Sequence, residues 1–388
     1  MPIETLSAEQ MYTSEEVTEY LRVSLRTTQR LLKGGELRSF KVHGQYRIKG
    51  IDLINYLHNV HSDTTAIEGD EAEHKPADLL PLLKVPPLSL EISPTLFPLF
   101  QSPENSLVLN GLEPLRKQII YTLGFIFPGI QINDNETLKD DHYQILVHGS
   151  PVIQACLQGD TDAQRAEQIL KQLRATAQQY AHEILSREEV AVMVENLRQT
   201  HRVVVDEVMQ DGFESHPQKL SIGQLTRVLK GLLREQVSIR NLRLILEGLA
   251  DGLEMHLSGD GLIKQVRQTL TRQICSTLVD APLSAGAAQV ISVITLEPAL
   301  EQCLSDSVKT DAWGHTNLVL DSVISRGVME QLKECVKDSD LKTLISSPLI
   351  RASLRRMIAR NFPNISVLSY MEIDSEFKIR AAASLQMP

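Results

Sequence analysis

Residues 220–251 constrain the fold more than any other stretch, because they read as two helices written back to back. Ser221 is a strong N-cap, and Gln224 three residues later completes a capping box. Leu225, Val228, Leu229 and Leu232 follow the three-and-four spacing of one buried stripe. Gln236 and Val237 break that period, and Ser238 is expected to cap a second helix with the stripe Ile239, Leu242, Leu246 and Leu249. Arg227, Lys230, Arg234, Arg240 and Arg243 alternate with the apolar residues. The expectation is a compact helical hairpin with an apolar side to be buried and a basic side in solvent.

Composition limits what surrounds that hairpin. A chain of 388 residues holds about two to four domains at common sizes, and 42% hydrophobic residues support folded domains with real cores. The net charge of −10 argues against a protein that coats nucleic acid over its whole surface, while leaving room for a local basic patch. Cys156, Cys275, Cys303 and Cys335 are scattered, without the spacing of a zinc site or redox pair, and read as buried thiols in a reducing cytoplasm. The first residues lack a basic, then apolar, then small-residue pattern, so no signal peptide is expected. Its longest apolar run, near 119–130, is interrupted by Tyr121, Gly124, Pro128 and Gly129 and falls short of the ~20 residues a membrane helix needs. A cytoplasmic protein that does not itself insert into a membrane is expected, with no cofactor and no metal.

Residues 1–60 form a unit of their own. Thr13 and Glu16 make a capping box before Val17, Tyr20 and Leu21; Ser24 caps a second helix, Leu25 to Lys33; Gly34 and Gly35 stop it. Phe40–Val42 and Tyr46–Ile48 alternate as strands around His43-Gly44, a hairpin turn, and a last helix runs from Ile51 to His58. In order and spacing this resembles the excisionase/MerR-type winged helix-turn-helix. The resemblance makes Arg26, Thr27, Gln29 and Arg30 candidates for reading bases in a major groove. Lys41, Gln45 and Arg47 on the hairpin, the wing, would meet phosphates or the minor groove, and Lys33 and Lys49 are further DNA-binding candidates. Gln45 stands where that module often has a basic residue. The alternative is a module that keeps the fold and serves as a protein-binding or dimerising cap. Residues 61–78, polar and acidic with Glu68, Asp70, Glu71 and Glu73, read as a flexible tether.

From residue 79 onward the chain resembles the FHIPEP family, the export-gate proteins of type III secretion and flagellar assembly. The specific pieces are Leu233-Arg234-Glu235-Gln236-Val237, Ser238-Ile239-Arg240, Ile245-Leu246-Glu247-Gly248-Leu249-Ala250, Thr295-Leu296-Glu297-Pro298 and Val367-Leu368-Ser369-Tyr370-Met371-Glu372-Ile373. The expected architecture is multidomain α+β. An α+β subdomain at 79–188 has strands at 88–92, 130–132 and 143–157 and a helix from Ala163 to Leu185. A helical subdomain spans 189–280, with one helix from Leu262 to Leu278. A C-terminal α+β layer spans 281–388, with strands at 290–296, 341–346, 365–370 and 377–383. After Leu157 the family inserts a further subdomain, one wall of the cleft that receives chaperone–substrate complexes. This chain runs straight to the helix at 163, and the family's membrane-embedded half has no counterpart in it.

The search for chemistry finds no Gly-rich phosphate loop and no His-Glu-x-x-His. His315 near Asp311 and Trp313, His142 beside Asp140 and Asp141, and His182-Glu183 each lack partners for catalysis. No enzyme is expected. The leading expectation is a DNA-binding regulatory protein that couples type III secretion or flagellar-type export to gene expression. It would hold double-stranded DNA through residues 1–60 and export components through 79–388, and would form a homo-oligomer. The alternative is a structural or adaptor component of the secretion apparatus that binds no DNA.

Overall fold

The structure is a computed structural model describing residues 11–21, 28, 31–32, 37, 39–42, 45–53, 83, 85–100, 106–159, 161–209, 219–280, 289–311, 316–338 and 341–388. The chain divides into two compact units, residues 1–81 and 82–388.

In the first unit, β1 (Met11–Thr13) leads directly into α1 (Ser14–Leu21), and β2 (Phe40–Val42) and β3 (Gln45–Lys49) follow. The capping box is formed: Thr13 donates its backbone N–H to the Glu16 carboxylate at 2.8 Å, and Glu16 N–H donates to Thr13 Oγ1 at 3.3 Å. The strands make an antiparallel sheet in the order β1-β3-β2. Phe40 faces Arg47 and Val42 faces Gln45, so the pairing leaves a two-residue connection. Three residues are too few to show a period, which is why β1 has no signature in the sequence. Tyr12, Val17, Leu31, Leu32, Leu37, Ile48 and Leu53 pack together as the core. Of the helix expected over 25–33, residues 28, 31 and 32 are described and are helical. The tether at 61–78, most of the final helix and the turn at 43–44 lie outside the described residues.

The second unit opens with β4 (Leu88–Ile92), α2 (Leu107–Leu123), β5 (Gln131–Asp134), β6 (His142–Val147) and β7 (Ser150–Cys156), in a sheet ordered β5-β4-β6-β7. Ser93 and Thr95 share a hydroxyl–hydroxyl hydrogen bond of 2.9 Å at the corner after β4, where a 3-10 turn, Pro94–Phe100, begins. The single strand expected over 143–157 is a hairpin instead. His148 and Gly149 both adopt positive φ, 47° and 74°, the geometry of a tight two-residue turn between twisted strands.

The helix expected from Ala163 to Leu185 is likewise two: α3 (Asp162–Gln179) and a short α4 (Ala181–Ile184). Tyr180 ends the first, and its carbonyl accepts from Glu183 and Ile184 to begin a new turn. Then come α5 (Arg187–Arg198), α6 (Arg202–Val208), α7 (Ile222–Arg234), α8 (Leu242–Glu254), α9 (Asp260–Thr269) and α10 (Thr271–Ser276). Leu262–Leu278 is thus also broken, at Leu270. One apolar core joins the β4–β7 sheet to these helices.

The C-terminal layer holds β8 (Gln289–Leu296), α11 (Pro298–Asp306), β9 (Val308–Thr310), β10 (Thr316–Leu318), α12 (Ser322–Asp338), β11 (Thr343–Ser346), α13 (Arg351–Ala359), β12 (Ser366–Ser369) and β13 (Phe377–Leu385). Its main sheet, β12-β11-β8-β13, pairs parallel throughout. Parallel strands need crossovers and are covered on their faces, which accounts for the near-continuous apolar run of β8. Ile294, Leu344 and Val367 pack with Leu300, Leu304, Val328, Leu332, Leu354 and Ile358 of α11–α13. The alternate residues Ile291, Val293 and Ile345 pack with Cys275 of α10. The small β9–β10 pair was not foreseen.

Candidate functional site

Of the residues expected to hold DNA, Arg26, Thr27, Gln29, Arg30 and Lys33 lie outside the described residues. Lys41 and Gln45 are placed on β2 and β3. Arg47 is half-buried and donates from Nη1 to the Tyr46 carbonyl at 3.5 Å, while Lys49 is exposed at the end of β3. The structure therefore brings no base-reading constellation together among the described residues.

The helical hairpin is built as its sequence directs at its start. Ser221 and Gln224 form the capping box, and Leu225, Val228, Leu229 and Leu232 are buried. The second helix begins later than expected, because Asn241 is its N-cap and accepts from Leu244 N–H at 3.4 Å. The Ser238 hydroxyl accepts from the Arg240 N–H at 3.4 Å in a loop, and its carbonyl accepts from Gln273 Nε2 at 2.8 Å. The physical reason is that Ile239 is buried there and donates its N–H to the Leu123 carbonyl at the end of α2, 2.8 Å away. Gly124 caps α2 in the left-handed region at φ 91°, so close to the loop that a Cβ would lie 2.0 Å from the Arg240 nitrogen. Arg240 stacks over the Tyr121 ring at 5.1 Å.

Glu235, the last residue of the same hairpin arm, turns inward to a cluster of buried charges that joins the helices to the C-terminal layer. Arg267 of α9 is 2% exposed, Arg351 and Arg355 of α13 are 4% and 5%, and Glu372, in a 3-10 turn after β12, is 0%. Arg267 grips Glu372 with Nε at 2.7 Å and Nη2 at 2.8 Å, and its Nη1 lies 3.0 Å from Glu235. Arg351 pairs with Glu235 through Nη1 and through Nη2 at 3.1 Å, and its Nε lies 3.8 Å from Glu372. Glu372 also accepts from the Ser369 N–H at 3.1 Å. Burial pushes the Glu235 carboxyl up, but Arg351 and Arg267 overcome it and hold it at about 2. The same two carboxylates raise the already high value of Arg267 against the opposing effect of burial. A second tie lies nearby, where Arg356 Nη2 meets Asp260 Oδ2 at 2.9 Å.

The sequence offers one sign of this cluster. Arg267 interrupts the buried stripe Ile263, Val266, Leu270, Ile274 with a charge.

The other candidates are placed plainly. His182 lies 3.6 Å from Glu183, and burial, with Arg234, pushes its pKa below the ordinary imidazole value. His142 Nδ1 is 2.8 Å from the Asp140 carbonyl, in a turn. His315 and Trp313 lie outside the described residues. The cysteines correct an expectation: Cys275 alone of the four is buried, Cys156 is exposed, and Cys303 and Cys335 are half-buried. Cys156 ends an edge strand of its sheet, where one side has no neighbour to cover it. No group of three or more His, Cys, Asp or Glu among the described residues is arranged to hold a metal, and no helix among them is long and apolar enough to cross a membrane.

The FHIPEP family matches residues 42–163 and 152–378, and a helix-turn-helix domain description matches residues 11–60. Flagellar biosynthesis protein FlhA of Bacillus subtilis is 25% identical over 362 residues, covering 81% of this chain and 51% of that protein. The chain spans about half the length of the curated relatives it matches. Among solved structures, the Chlamydia pneumoniae CdsV and CdsO protein complex is similar with a TM-score of 0.66 at 22% identity, covering 78% of this chain and 98% of that one. The nonameric EPEC SctV-C structure is similar with a TM-score of 0.63 at 18% identity, again covering 78% and 98%. These relatives overturn the expectation of a DNA-binding transcriptional regulator. The likeness that spans most of the chain is to export proteins, and a helix-turn-helix likeness over one short unit carries a fold rather than an activity. By its match across residues 42–378, the chain belongs to the FHIPEP family.

Proposed function

We propose that the chain is a non-catalytic structural or adaptor component of a type III secretion or flagellar export apparatus, working at its cytoplasmic side through protein contacts. The observation that carries this reading is the export-gate likeness across residues 42–378, in both sequence and fold. The nonameric state of SctV-C and the pairing of CdsV with CdsO support self-association and an export-component partner for residues 82–388.

The proposed organisation keeps subdomains at 79–188, 189–280 and 281–388, with the family's inserted subdomain missing from the first. Two observations support that absence. The two family matches meet at residues 152–163, and β7 ends at Cys156 with α3 beginning at Asp162. With that wall absent, no chaperone-binding residue of the family is carried over to this chain. The N-terminal unit is proposed as a winged helix kept for protein contacts.

Sedimentation of the purified 388-residue chain, alone and mixed with the cytoplasmic domain of an export-gate protein from the same host, tests the reading. A heavier species containing both is expected. A chain that stays monomeric in both experiments, in a host whose secretion is unchanged by its deletion, would sink it.

A further inference from the structure

The buried charge cluster is one negative charge short. Arg267, Arg351 and Arg355 meet two carboxylates, Glu235 and Glu372, and the first two arginines take both. Arg355 has no carboxylate within 4 Å among the described residues. Its Nη1 and Nη2 donate to the backbone carbonyls of Phe362, at 3.2 Å, and Pro363, at 2.9 Å. Carbonyl dipoles solvate a guanidinium without neutralising it, and a buried charge is costly unless paired. Burial itself pushes the Arg355 pKa down; Glu235 pulls it up from a distance, and Arg351 and Arg267 push it down again.

Space for the missing charge lies beside it. A cavity of about 80 Å³ is lined by Arg355, Arg267 and Glu235 together with the hydrogen-bonding side chains of Gln273, Thr277 and Ser366. That is well above the ~10–15 Å³ needed to hold one water, and leaves room for one small oxyanion. The cavity shares Gln273 and Thr277 with a wider groove of about 520 Å³ beneath the Arg240–Tyr121 stack, which supplies an entry path.

We propose that this cavity binds a small oxyanion of phosphate size, whose charge completes the three-arginine, two-carboxylate cluster. Arg355 supplies the cation, and the Ser366 hydroxyl and the second amide N–H of Gln273, whose first is held by the Ser238 carbonyl at 2.8 Å, supply the hydrogen bonds. Because Arg267 stands on α9 while Arg355 and Ser366 belong to the C-terminal layer, the bound anion pins the two layers together. A free tetrahedral anion and a free carboxylate share this chemistry, and the titration below separates them. The inference stands apart from the export role.

The test is isothermal titration calorimetry of the 388-residue chain with inorganic phosphate, and separately with acetate, at constant ionic strength set by sodium chloride. Saturable binding of about one anion per chain is expected. Arg355→Lys, which keeps the charge and loses the planar fork, should weaken it about tenfold, as for one charge-assisted hydrogen bond. Arg355→Met should abolish it. Should that variant fail to fold, Gln273→Leu and Ser366→Ala leave every ion pair in place and should each weaken binding. Acetate binding in place of phosphate supports the site and assigns it to a carboxylate. No saturable binding of either anion, or unchanged binding in both Arg355→Lys and Ser366→Ala, overturns it.

Discussion

Glu372 accepts at once from two nitrogens of Arg267 and from the Ser369 backbone, with Arg351 close by, and none of its side chain reaches solvent. Glu372→Gln would leave two buried guanidiniums sharing one carboxylate, so a loss of about 3–5 kcal/mol is expected in urea unfolding at neutral pH. A loss under about 1 kcal/mol would show that the charge contributes little. The pH dependence belongs to Glu235. Its folded pKa, about 2, lies below the ordinary carboxylate value of 4.5, so the ionised form favours the folded state. That contribution is whole above the unfolded value and disappears as pH falls through the folded one, a loss of about 3 kcal/mol across the window. Urea midpoints should therefore fall steeply between those two pH values, and Glu235→Gln should flatten the curve. None of this is legible from Glu235 or Arg351 by themselves, since a charged residue at a helix end usually faces water.

The elements follow their local signals wherever the signal is local. The Ser221–Gln224 box forms as read, and Ser221→Ala should cost about 1 kcal/mol in thermal or urea unfolding. Gly124 depends on both chain conformation and packing. A Cβ there costs about 1–2 kcal/mol for its left-handed backbone and also meets the Arg240 backbone, so Gly124→Ala should be the more damaging of the two. Equal effects of the two substitutions would show that the loop at 238–241 moves aside freely. Helices α8 and α9 also approach closely at Gly248, where a Cβ would lie 2.5 Å from Thr269 Oγ1. Misread boundaries share one cause. Ser238 has good capping chemistry, but Ile239 next to it gains more by burial against α2, so the cap passes to Asn241.

On the scale of the whole molecule, the chain carries two likenesses that overlap at residues 42–60, and the export-gate one spans most of the chain. If residues 82–388 supply the assembly contacts, a chain carrying Arg26→Ala and Arg30→Ala should still co-sediment with the export-gate partner as the parent does. Loss of co-sedimentation in that double variant would move the contact to the N-terminal unit.

Periodicity and capping chemistry, which depend on a few neighbouring residues, determined the first arm of the helical hairpin and the buried strand β8 from the sequence alone. Tertiary structure decided the pairing of Arg267 with Glu372 across 105 residues, the uncompensated charge on Arg355 and the cavity beside it. The reason is physical. A helix stripe is set by the spacing of side chains along one backbone, whereas the environment of a buried charge is set by whichever distant segments the fold brings against it.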